Sequence, residues 1–139
     1  MRRNFVIFLA GLAALMSLQS AVACSCVAID PAVAYRNEGT VVLVKVTGLE
    51  KAPVGSPWNV TLVILKSWKG ALRPDTTIYV QTPGPNEPCG FFIHVGDEFL
   101  VYDEDPATLM NVALCNTVRG EQVSTHIQRL DALSSKARP

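Results

Sequence analysis

Cysteine placement constrains this chain more than any other feature of its 139 residues. Cys24 and Cys26 stand one residue apart in "AVACSCVAID", whereas Cys89 and Cys115 lie far downstream. Ahead of them, Arg2 and Arg3 precede an uncharged apolar run, "FVIFLAGLAALMSL", and small residues at Ala21 and Ala23 complete the pattern of a secretory signal cut after Ala23. The apolar run is too short for a comfortable membrane span. An even number of cysteines behind such a leader implies disulfides in an oxidising compartment. A Cys24–Cys26 bridge would close a ring that disulfide geometry resists. The expectation is therefore two long bridges, one from each of these cysteines to the second half of the chain. Either of two pairings satisfies this. Each bridge closes a loop of many tens of residues, worth at most about 4 kcal/mol by chain entropy.

Residues 1–23 are thus assigned as a signal peptide and residues 24–139 as one domain. Twelve basic and twelve acidic residues balance in the whole chain, and cleavage removes two of the basic ones, so the exported part carries a net charge of −2. It keeps no Lys/Arg cluster, which argues against a nucleic-acid partner. It has no second apolar run long enough to span a bilayer. The expected setting is outside the cell or in a periplasm, with the chain a monomer.

Along the exported part, Asp30-Pro31 opens a short helix over about 28–37, with Asp30 as N-cap and Pro31 at the first helical position. "TVVLVKVTGLEK" predicts a strand over 40–49. "WNVTLVILKSWKG" predicts another over 58–70, with Val60, Leu62 and Ile64 on one face and Gly70 ending it. Further strands are expected over 76–82, 98–102 and 108–116, the last carrying Cys115. "PGPNEP", 83–88, is a rigid connector. Val123, Ile127 and Leu130 give one apolar stripe of a closing helix. Five strands flanked by short helices point to an all-β domain, a small barrel or sandwich compatible with a five-stranded OB-fold-like barrel.

No enzyme signature stands out, and no cofactor of its own is expected. His126 falls beside the apolar stripe of the last helix and reads as a surface or boundary residue. His94, near Asp97 and Glu98, reads as a loop histidine. Asp103-Glu104-Asp105 lacks calcium-loop spacing and reads as a solvated turn. Trp58 and Trp68 read as barrel packing. Free thiols at Cys24 and Cys26 could hold a soft metal or act in redox chemistry, but both readings leave Cys89 and Cys115 without a task. Cleavage after Ala23 suggests another use. The α-amine and carbonyl oxygen of Cys24 then form a five-membered chelate, and an amine of unperturbed pKa about 7.7–8.0 yields its proton to zinc near neutrality. A catalytic zinc keeps one position open for water, and these two atoms could take it.

The ordered pieces "CSCV", "AYRN", "VTLVILKSWKG", "TPGPNEPCGFF" and "DEFLVY", followed by Cys115, resemble the N-terminal netrin-like domain of the tissue inhibitors of metalloproteinases over nearly all of residues 24–120. The resemblance implies a netrin-like barrel and the bridges Cys24–Cys89 and Cys26–Cys115. It also implies a secreted inhibitor whose Cys24 contacts the zinc of a partner zinc metallopeptidase. Its binding ridge would comprise Cys24, Ser25, Cys26, Val27 and Ala28 flanked by Asn86, Glu87 and Pro88, with Ser25 entering the primary specificity pocket. Departures are visible. Arg36 stands where the family has a further cysteine, that bridge is lost, the separate C-terminal domain is absent, and "EKAPVGSP" is short. Two rivals share the same residues. One is a non-inhibitory netrin-like module of the cell envelope or extracellular space. The other is a lipoprotein acylated at Cys24, since "AVAC" partly resembles a lipobox. Asn59 opens a glycosylation sequon, meaningful only in a eukaryotic secretory path.

Overall fold

Asp30 begins the ordered architecture. In the computed structural model, which describes residues 24–109 and 112–137, its Oδ1 accepts from the N–H groups of Ala32 (2.8 Å) and Val33 (3.0 Å). These two bonds cap helix α1, Pro31–Asn37, and hold the Asp30 carboxyl below the usual carboxylate range. At the other end of α1, Lys69 Nζ donates to the carbonyls of Tyr35 (2.9 Å) and Arg36 (3.1 Å), where a cation suits the helix dipole. The expected first helix is therefore present. The expected signal peptide lies outside the described residues.

The strands follow the alternating apolar pattern. β1 spans Thr40–Glu50, β2 Trp58–Lys69, β3 Thr77–Thr82 and β4 Glu98–Asp103. Gly70, with φ 99°, turns the chain out of β2, a conformation open to glycine at no steric cost. The fifth strand differs from expectation. It is the two-residue β5, Thr117–Val118, and Cys115 sits ahead of it in a 3₁₀ turn, Leu114–Asn116. Asn116 Oδ1 accepts from Ala113 N–H (2.9 Å) at that point. Asparagine's local bonding competes with a ladder here. A fifteen-residue helix, α2 (Gln122–Lys136), closes the described chain, and no described helix is long and apolar enough to cross a membrane.

All pairings are antiparallel, in the order β3-β2-β1-β4-β5. The expected five-stranded antiparallel sheet with flanking helices is present, and its hydrogen-bond ladder is open among the described residues. The end of β3 is tied instead to the loop ahead of the 3₁₀ turn: Thr82 Oγ1 donates to Val112 O (2.6 Å). Three register shifts between β1 and β2 bend the central ladder, as bulges do.

Curvature gives the sheet two packed faces. The concave face encloses Val44, Val60, Leu62, Ile64, Phe91 and Phe99, among others. The convex face at β1 and β4 packs Val41, Leu100 and Tyr102 under the helices, with Val123, Ile127 and Leu130 supplying the expected stripe of α2. β4 is consequently buried on both sides. Trp68 packs on this helix side of the sheet, as a packing residue, donating from Nε1 to Asp131 Oδ1 (2.7 Å) beside Lys66. Leu130 is fully buried. Leu130→Ala should lose about 2–5 kcal/mol of stability in urea unfolding, with α2 the first element to gain amide exchange.

Candidate functional site

Residues 24–30 form neither helix nor strand, so their positions depend on crosslinks. Cys24 is bonded to Cys89, with Cα atoms 5.3 Å apart, and Cys26 to Cys115, with Cα atoms 5.0 Å apart. The chain from Pro83 to Gly90 folds back on itself to receive the first bridge. Glu87 N–H donates to Gly84 O (2.9 Å) and Gly90 N–H to Glu87 O (3.0 Å). Gly90 lies so close to the Gly84 carbonyl that a side chain could not fit there. Cys89 itself holds a left-handed backbone, φ 58°, which costs a non-glycine residue on the order of 1–3 kcal/mol. Its carbonyl accepts from Leu114 N–H (2.9 Å), so the two bridges are also joined through the backbone.

This arrangement gathers the residues singled out in the sequence. Ser25, Cys26, Val27 and Ala28 are exposed, Val27 at 88 %. Cys24 and Glu87 are half-buried, with exposed Asn86 and Pro88 beside them. Cys24, Asn86, Glu87, Pro88, Cys89 and Leu114 border a shallow hollow of ≈ 300 Å³. Glu87 is the one ionisable side chain among residues 24–28 and 86–88, apart from the bridged cysteines. It is engaged internally, accepting from Gly55 N–H.

Sequence reasoning missed two neighbours of this edge. Leu114, 37 % exposed, enters because the segment expected as a strand turns instead. The turn at 53–57, with Val54 80 % exposed, is tied to the edge by the Glu87–Gly55 bond. No periodicity in the chain signals either contact. In chemical terms the edge is an exposed, nearly uncharged segment crosslinked at Cys24 and Cys26.

The other candidates resolve into structural roles. His94 is exposed in a turn that Asp97 closes by accepting from His94 N–H (2.9 Å). The run 103–105 is not simply solvated: Asp103 is buried, and its Oδ1 accepts from Asp105 N–H (2.9 Å). No group of three metal-ligating side chains occurs among the described residues.

His126 departs from expectation. It is buried, with Nδ1 2.9 Å from the hydroxyl of Tyr102. Burial pushes the His126 pKa below its usual value, against a smaller opposing pull from Asp30. Burial likewise raises that of Tyr102. Tyr102 also borders a hollow of ≈ 850 Å³ with Cys89 and Cys115. No family model matches the chain, and no curated protein matches it.

The unfolded histidine, of pKa about 6.5, binds its proton before the folded one does. Stability from this group is therefore complete above about pH 6.5 and is lost as pH falls through that value toward the depressed one. Urea midpoints measured from pH 8 to 5 should fall across this window, and His126→Gln should flatten the decline.

Proposed function

We propose that the exported chain is a secreted inhibitor of zinc metallopeptidases that acts through the amine and carbonyl of Cys24. The observation that carries this reading is the double crosslink, which holds an exposed segment by Cys24–Cys89 and Cys26–Cys115 beside residues 86–88. Cleavage after Ala23 would free the Cys24 amine at the tip of that edge. A catalytic zinc holds an open position for the water it activates. The amine and carbonyl of one residue replace that water with two donors, and hydrolysis stops. Rigidity matters because a flexible terminus would lose more conformational freedom on binding.

Under this reading Ser25 projects into the primary specificity pocket, where its small side chain favours breadth over tight selectivity. Val27 and Ala28 continue along the substrate cleft, and Asn86, Glu87 and Pro88 flank it. The chain contributes no metal or cofactor of its own and works as a monomer. The fold that would carry the ridge is a netrin-like, partly open five-stranded barrel. The open antiparallel ladder, the apolar core on one sheet face and the Thr82–Val112 bond from the β3 edge to a loop support it. Two disulfides suit an oxidising compartment. The Cys24–Cys89 bridge also weighs against lipidation, since it occupies the sulfur that an acyl chain would need.

Exported protein should have an intact mass that begins at Cys24 and lies four hydrogens below the reduced chain. Against a panel of zinc endopeptidases with fluorogenic peptides, it should inhibit. One alanine placed before Cys24 should weaken inhibition by about 100-fold or more, about 2.7 kcal/mol, with the near-ultraviolet circular dichroism unchanged. Equal inhibition by the extended protein would reject chelation. Folded protein that inhibits none of the panel would instead assign the chain to the non-inhibitory netrin-like modules.

A further inference from the structure

The helices leave part of the convex sheet face uncovered. They pack over β1, β4 and the Trp68 end of β2. Toward the other end, the strand registers align two rows across β3, β2 and β1: Gln81–Asn59–Glu50 and Tyr79–Thr61–Gly48.

The first row is a chain of polar side chains. Gln81 Nε2 donates to Asn59 Oδ1 (3.1 Å), and Asn59 Nδ2 donates to Glu50 Oε2 (3.4 Å). All three residues are exposed. Each amide uses one of its two N–H groups in these bonds, so the row is ordered and still has donors and acceptors to offer.

The second row is uneven. Tyr79 is 81 % exposed, which leaves an aromatic surface in water without protein cover. Gly48, at the far end, has no side chain and adjoins a register shift. A glycine inside a strand marks a bulge or the close approach of another group. Here that group is Thr61, whose Oγ1 would lie 2.9 Å from a Cβ at Gly48, so the Tyr79 ring stands beside a threonine side chain that covers the glycine. Tyr79 and Gln81 share one face of β3, about 7 Å apart along the strand.

We infer that this face binds a neutral oligosaccharide, one pyranose packed on the Tyr79 ring and its hydroxyls bonded to Gln81, Asn59 and Glu50. The C–H-bearing face of a sugar ring is electropositive at its hydrogens and meets the negative face of the aromatic ring. Sugar hydroxyls both donate and accept, as a row of amides and a carboxylate requires. Charge excludes polyanions. Glu50 terminates the polar row, Lys45 is paired with Glu98 at 3.1 Å, and Lys51 lies over the Trp58 ring at 5.5 Å. Neither row contains a cation, so sulfated glycans and nucleic acids find no counter-charge.

The test is a titration of ¹⁵N-labelled, oxidised exported protein with cellotetraose, chitotetraose and maltotetraose in turn. At least one should give saturable shifts below about 5 mM, clustered on residues 48, 59, 61, 79 and 81. Tyr79→Ala should weaken binding about tenfold or more, Tyr79→Phe should stay within about twofold, and Gln81→Ala should weaken it about threefold. An alanine added before Cys24 should leave these values unchanged, which separates this face from the ridge. The inference fails if none of the three sugars gives saturable shifts, or if the shifts cluster elsewhere. It fails if Tyr79→Ala binds as tightly as the parent. It also fails if the Tyr79 signals move with protein concentration alone, which would mark the face as a contact between two copies of the chain.

Discussion

The pair of crosslinks at the start of the described chain governs the exposed edge. Residues 24–29 join no ladder and no helix. Their order comes from Cys24–Cys89 and Cys26–Cys115 at one end and from the capped start of α1 at the other. Held this way, Ser25, Val27 and Ala28 stay exposed to solvent. Without the bridges the same residues would regain on the order of 1–2 kcal/mol of backbone entropy each.

The sheet is the platform that makes those crosslinks effective. β1 lies at its centre, flanked by β2 and β4, and one face of the sheet packs the larger apolar cluster while the other receives two helices. Each helix is fastened by polar contacts as well as burial. Lys69 caps α1, and Asp131 of α2 takes Trp68 and Lys66. Cys89 and Cys115 therefore sit on loops whose neighbours are anchored, and a strained residue such as Cys89 can persist because its surroundings over-determine it.

Two surfaces with different chemistry emerge from one small domain. The crosslinked edge is nearly free of charge, and its single carboxylate holds a neighbouring turn in place. The uncovered sheet face is a polar row beside an exposed ring. Their ligands should differ accordingly, and neither surface needs the other to be occupied.

Local chemistry made much of this legible in the chain itself. Asp30-Pro31 announces a helix start because capping and a preset φ act within three residues. Val60, Leu62 and Ile64 announce a buried strand face because the period of two is a property of the backbone. The need for two long bridges follows from the reach of a disulfide. Other features depended on the whole fold. Residues 114–116 turn where a strand was expected, because Asn116 and the Cys26–Cys115 bridge fix that segment locally. His126 is buried because β4 brings Tyr102 to it across 24 positions of sequence. Leu114 and the 53–57 turn reach the exposed edge through bonds to Cys89 and Glu87. Sequence alone determined which residues alternate and cap, since those effects act over a few bonds, and that Cys24 and Cys26 each need a distant partner. Tertiary structure decided which loops share a surface, since that depends on how a bulged sheet curves and on which partners the curvature brings within hydrogen-bonding distance.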